Sequence, residues 1–195
     1  RFSGDDMIRL ADLAEEYASD NQGRLVTTIK QNIILKNIPS TRVDDLVRQL
    51  DAAGLSPHRH PLRGSLISCT GIEFCKLAVS ETKARAKAVL NHLEQQLPGL
   101  TEPLFIAITG CPNSCAHYQT ADIGMHGVPT QYKGEKVEGF HILLGSKLGE
   151  EPRFAEFVTG PGGKRLKVPS AIIHESIERL IRAWQQAGGG SFGDW

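Results

Sequence analysis

Met7, Leu10, Ala11, Leu13, Ala14 and Tyr17 recur at helical spacing through residues 4–19, behind the acidic pair Asp5 and Asp6. That pattern predicts an amphipathic helix with carboxylates at its positive end. Residues 23–37 are instead rich in Val, Ile and Thr, and predict a strand that bends or splits near Gln31 and Asn32. Pro39 and Ser40 break the pattern. Thr41 then stands where a cap belongs, before an amphipathic helix that ends at Gly54. Helix, strand and helix fit a small α+β layer of the ferredoxin-like kind.

The stretch SPHRHPLRGS, residues 56–65, is basic and broken by prolines, and predicts a boundary between domains at 1–57 and 58–195. Beyond it, SLISC predicts a short strand. Phe74, Leu77, Ala78, Ala84, Ala88, Leu90 and Leu93 predict a long helix over much of 72–97. PLFIAITG, at 103–110, is apolar enough for a buried strand. A short helix is expected after Cys111, with Pro112 at its first position, where a missing N–H does no harm. Residues 137–146 predict another strand. Residues 168–188 predict an amphipathic helix with Pro169 near its first turn and Gly188 at its end. The fold class is therefore α+β: the ferredoxin-like layer, then an α/β domain with a mixed sheet and helices.

Composition narrows the function little. The chain has 195 residues, 40% of them hydrophobic, enough for real cores. Lys plus Arg and Asp plus Glu both total 22, so charge gives no argument for nucleic acid or a membrane surface. No apolar run reaches the roughly 18–20 residues that span a bilayer. The chain opens on Arg1 and reads as the interior of a longer protein. No leader is visible, and a cytoplasmic location is expected.

The chemistry lies in four cysteines, in two tight pairs: Cys69 and Cys75 spaced C-x5-C, Cys111 and Cys115 spaced C-x3-C. Structural disulfides would spread over longer loops, and a chain of this size does not need them. No C-x-x-C redox motif is present. Zinc tolerates C-x3-C, but C-x5-C is unusual for it. Four thiols behind apolar strands best suit an iron–sulfur cluster, which takes four thiolates in a shielded setting. Zinc stays open on spacing alone.

CTGIEFCKLAVSETKARA followed by TGCPNSCAHYQTADIGMHG resembles the nitrite and sulfite reductases that contain siroheme and a 4Fe–4S cluster. VTTIKQNIIL and VEGFHILLGSKLG resemble the same family, so the likeness spans nearly the whole chain. It corresponds to the C-terminal half of such a reductase. The resemblance implies that Cys69, Cys75, Cys111 and Cys115 bind the cluster and that Cys115 also bridges to the siroheme iron. It implies electrons from ferredoxin or another low-potential donor, and a six-electron reduction of nitrite to ammonia or, as the alternative, sulfite to sulfide. TGIEFC leans toward nitrite. An electron-transfer module without catalysis is the alternative of a different class.

Siroheme carries many carboxylates, so cationic and amide donors should face it. Arg24, Thr28, Lys30, Gln31 and Asn32 on the predicted strand are candidates, with Arg59, Arg63 and Asn113; the plainer reading makes the charged ones solvated. Of these, Thr28, Lys30, Gln31, Asn32 and Asn113 are the expected cofactor contacts, beside Cys115. His58, His60, His117 and His126 are conceivable proton donors, the first two more simply loop residues. Glu73 and Lys76 are expected to face solvent or cap the helix. The resemblance places the substrate-facing Arg and Lys residues mainly in the other, N-terminal half, so this piece alone is expected to be inactive.

Overall fold

Ser3 opens the first helix with a reciprocal cap: its hydroxyl accepts the Asp6 N–H and the Asp6 carboxylate accepts the Ser3 N–H. The computed structural model describes residues 2–19, 22, 24–57 and 60–195. His58 and Arg59 lie outside the described residues. The chain divides into two compact units, Arg1–Arg59 and His60–Trp195.

In the first unit, helix α1 (Gly4–Tyr17) is followed by the antiparallel strands β1 (Arg24–Thr27) and β2 (Ile33–Lys36), and then by helix α2 (Val43–Ala52). Leu10, Leu13 and Tyr17 of α1 pack with Leu46 and Leu50 of α2, and Leu25, Ile33 and Leu35 close the core from the strands. The predicted strand over 23–37 is thus a hairpin. Thr28, Lys30, Gln31 and Asn32 sit in its turn, not on a strand: the Thr28 N–H donates to Asn32 O at 2.9 Å, and Gln31 adopts a φ of 58°. Thr41 does not cap α2, because a 3₁₀ turn over Ser40–Arg42 comes first and Arg42 holds the cap position. The α2 end is as expected. Gly54, at φ 72°, lets its own N–H reach Asp51 O and the Leu55 N–H reach Leu50 O.

The second unit begins with the short helix α3 (Pro61–Ser65), inside what reads in sequence as a broken connector; Pro61 takes its first turn. Strands β3 (Leu66–Ser68), β4 (Ile106–Thr109) and β5 (Ile123–Tyr132) run parallel to one another. Strand β6 (Glu135–Leu144) returns antiparallel to β5 through a two-residue turn at Lys133 and Gly134. Strands β7 (Glu156–Phe157) and β8 (Lys167–Pro169) both pair with β6. Helices α4 (Lys83–Gln96) and α5 (Ile173–Gln186) cover one face. There Val89 and Leu93 of α4 and Ile177, Ile181 and Trp184 of α5 pack on Ile106, Ile108, Ile123, Met125, Phe140 and Ile142. Alternation along the strands turns Ile67, Ala107 and Leu143 to the opposite face, against Ala116, Tyr118, Ala121 and Ala155.

Three expectations fail here. The helix predicted from residue 72 starts only at Lys83, and Thr70 to Thr82 form an irregular loop. Phe74 and Leu77, among the apolar positions of that expected helix, are 69% and 66% exposed. No helix follows Cys111; turns lead to a 3₁₀ segment at Tyr118–Thr120, so Pro112 starts nothing. Pro169 ends β8, and α5 begins four residues later, after a 3₁₀ turn at Ser170–Ile172. Among the described residues, no helix is long and apolar enough to cross a membrane.

Candidate metal-cluster site

β3 and β4 are parallel and in register from Leu66↔Ile106 to Ser68↔Ile108. Cys69 follows the last residue of β3, and Cys111 follows β4 by one residue, Gly110. Both cysteine pairs therefore leave the carboxyl edge of two neighbouring parallel strands, where open sheets of this kind place their ligands. The first pair lies in the connection from β3 to α4. The second lies in the 13-residue crossover, 110–122, that returns the chain to β5.

Backbone hydrogen bonds lace the two loops together. The Gly110 N–H donates to Cys69 Sγ at 3.2 Å, and the Cys69 N–H donates to Ile108 O at 3.0 Å. The Val79 N–H donates to Gly110 O at 2.8 Å, and within the first loop the Cys75 N–H donates to Gly71 O at 3.0 Å. The fit is close enough to require glycine. A Cβ on Gly127 of β5 would stand 2.4 Å from Gly110 O and 2.7 Å from Ser80 Oγ. Ser80, buried, donates its hydroxyl to Gly139 O at 2.9 Å and so pins the end of the first loop to β6.

All four cysteines are free thiols. Cys111 is buried, Cys69 and Cys75 half-buried and Cys115 exposed. Among the described residues no three of His, Cys, Asp and Glu converge on a point that one metal ion could occupy. That does not count against a cube of iron and sulfur, whose four thiolates each take a different iron and stay apart. The donor set fits such a group: four reduced thiols on two tethered loops, one sulfur already facing a backbone N–H.

The second loop takes its shape from two residues at positive φ, Ser114 at 58° and His117 at 54°. The Ser114 hydroxyl bonds the Gln119 side chain, and the His117 N–H donates to Ser114 O at 2.9 Å. Tyr118, buried beneath, donates to Pro112 O at 3.3 Å, and burial pushes its phenol up. Its ring stacks on His126, with centroids 5.0 Å apart. His126 is 5% exposed, with both ring nitrogens unpartnered, and beside it Thr109 Oγ1 is also unpartnered. Burial lowers His126 to about 4, and His141 and Arg165 push in the same direction.

The other sequence candidates fall as follows. Asn113 is exposed on the second loop. Thr28, Lys30, Gln31 and Asn32 share the β1–β2 turn, where the Thr28 hydroxyl accepts the Asn32 N–H at 3.1 Å; Arg24 opens β1. These belong to the first unit, the cysteines to the second. Arg63 is engaged by Glu94, through Nη2 to Oε2 at 2.5 Å, and this partner raises its pKa further. His60 caps α3 and contacts Leu97 O at 3.1 Å. His117, Glu73 and Lys76 are exposed. The sequence reading passed over Thr82, Glu81, Tyr118 and His141. Helical periodicity hid the first two, and only a β5–β6 pairing brings His141 opposite His126. A cavity of about 520 Å³ lined by Leu144, Arg153, Glu156, Phe192, Asp194 and Trp195 contains none of the cysteines.

Fold and donors define a class: an α+β protein with four reduced thiols at the carboxyl edge of neighbouring parallel strands. Family profiles narrow it. The nitrite and sulphite reductase 4Fe–4S domain matches residues 63–190, and the nitrite/sulfite reductase ferredoxin-like half domain matches residues 1–53. The chain belongs to the nitrite and sulfite reductase family. It is 36% identical to sulfite reductase (ferredoxin) 2 of Mycolicibacterium paratuberculosis over 100% of its length, and 40% identical to ferredoxin–nitrite reductase of Synechococcus elongatus over 92%. It spans 35% and 34% of those relatives. The solved structure of the NirA protein of Mycobacterium tuberculosis superposes with a TM-score of 0.88 at 36% identity, covering all of this chain and 36% of that one. The 4Fe–4S cluster and siroheme expected from the resemblance are the cofactors of this oxidoreductase family.

Proposed function

We propose that the chain is the C-terminal, cofactor-binding part of a ferredoxin-dependent siroheme reductase that converts nitrite to ammonia in a six-electron reduction. The observation that carries this reading is the pair of thiol loops at one strand edge, with the Gly110 N–H on Cys69 Sγ. In this reading Cys69, Cys75, Cys111 and Cys115 hold the cluster. Cys115 is the exposed thiol, which suits a residue that would also face siroheme. Asn113, beside it, offers an amide donor to siroheme carboxylates, and the family resemblance adds Thr28, Lys30, Gln31 and Asn32 of the β1–β2 turn as expected contacts. When bound, the two groups supply single-electron transfer and an iron that takes the anion.

The chain's own residues fix the thiols. Gly110 donates to one sulfur, Gly127 gives the loops room, and Tyr118 holds the Pro112 carbonyl between the second pair. The division into a ferredoxin-like half-domain over 1–57 and a cofactor domain over 58–195 belongs to this reading. So does an N-terminal half of the same reductase that supplies the cations facing the substrate. The relative named a ferredoxin–nitrite reductase supports nitrite and ferredoxin. The mycobacterial relative named a sulfite reductase, aligned over the whole chain, supports sulfite as the second reading.

The test is steady-state kinetics of the full-length protein with reduced ferredoxin. A kcat/KM for nitrite at least about tenfold above that for sulfite, with ammonia as product, is expected. The reverse preference, with sulfide as product, would establish the second reading. Absence of a Soret band in the purified protein would leave neither.

A further inference from the structure

We propose that Thr82 is a positioning residue that sets the reduction potential of the iron–sulfur cluster through the Cys69 sulfur. This rests on the reading of Cys69 as a cluster ligand. Thr82 holds the N-cap position of α4, where a threonine hydroxyl ordinarily accepts an N–H of its own helix. Here it makes no such bond. It donates to Cys69 O at 2.7 Å and lies 3.7 Å from Cys69 Sγ.

The reason lies one residue earlier. The Glu81 carboxylate accepts the Lys83 N–H and the Arg85 N–H, both at 2.9 Å, and so performs the capping that Thr82 leaves undone. Glu81 is held in turn by its own N–H, which donates to Glu138 Oε2 at 2.7 Å. The hydroxyl of Thr82 is thereby released toward the cysteine. Thr82 is fully buried, so water does not compete for it. Gly71, at φ 70°, presses the first loop onto it; a Cβ there would stand 2.7 Å from Thr82 Oγ1.

A thiolate has no proton to give and only accepts. With Cys69 ionised, the single Thr82 proton is shared between Cys69 O and the sulfur, so the longer Sγ–Oγ1 contact can run only from hydroxyl to sulfur, alongside the Gly110 N–H. Each donor to a ligand sulfur stabilises the more negative, reduced cluster and raises its potential.

Redox titration of the full-length holoprotein followed by EPR tests this with T82V, T82A and T82S. T82V and T82A should each lower the one-electron reduction constant about tenfold, a downward shift of about 59 mV, while T82S stays with wild type. Iron and labile sulfide contents should match in all four proteins. A full cluster in T82V or T82A at the wild-type potential overturns the proposal. So does loss of the cluster from both while T82S retains it, which makes the hydroxyl a structural strut only. A wild-type holoprotein without labile sulfide sinks the cluster reading itself, and this inference with it.

Discussion

The two cysteine loops leave the same sheet edge, yet they are built by opposite means. The first, from Cys69 to Thr82, is held from outside. Gly110, Glu81, Thr82 and Ser80 bind it to β4, α4 and β6, while Phe74 and Leu77 on its tip touch water. The second, from Cys111 to Asp122, is shaped mainly from within, with the Ala155 N–H on Gln119 O and the Phe105 N–H on Asp122 Oδ2 as outside ties. Ser114 and His117 turn it at positive φ, and Tyr118 and Ala121 fill the space beneath, over His126.

The change with the largest expected effect strikes both loops together. Gly127→Val would drive a side chain into Gly110 O and Ser80 Oγ, with backbone on one side and a pinned hydroxyl on the other. About 3 kcal/mol of stability should be lost, read as a lower urea midpoint of unfolding. A loss well under about 1 kcal/mol would mean that the loops do not pack on β5 as described.

Acid should act on the second loop, through the histidine packed against Tyr118. His126 is held to about 4, below its ordinary 6.5, chiefly by burial. The unfolded chain therefore binds a proton that the folded chain refuses between those values. The stabilisation is complete above about pH 6.5 and is lost as pH falls toward 4, on the order of 3 kcal/mol in all. His126→Met should flatten urea stability across that window. A slope equal to the wild type's would remove His126 from the account.

The smallest effect belongs to the first loop's tip. Phe74→Ser exchanges a side chain already 69% exposed, so stability should move by less than about 0.5 kcal/mol. A larger loss on thermal or urea unfolding would show that the tip is braced like its base.

The same contrast explains what could be read from the chain. α1, α2 and α5 announce themselves by periodicity, because each buries one face, and strands β3, β4 and β6 by short apolar runs, because they pack on both faces of the sheet. Ile72, Phe74 and Leu77 carry a helical spacing too, but Gly71 at positive φ and the Val79 bond to Gly110 O commit that segment to the sheet edge. Local pattern loses there to contacts some 30 residues away. β5 stayed hidden because Gly124, Gly127 and Pro129 look like breakers. Both glycines make room for the loops against the strand, Gly124 beside Tyr118 and Gly127 beside Gly110 and Ser80. The cysteines themselves were legible from spacing and resemblance. Their supports, Thr82, Glu81 and Tyr118, were not, since each acts across the fold.

The most direct test of the central reading is iron, zinc and acid-labile sulfide analysis, with EPR of the reduced state, on the full-length protein and its four single Cys→Ser variants. The account requires four irons and four sulfides per chain in the wild type, and their loss from C69S, C75S, C111S and C115S alike. Stoichiometric zinc without labile sulfide, or an unaltered cluster in any one of the four variants, would contradict it.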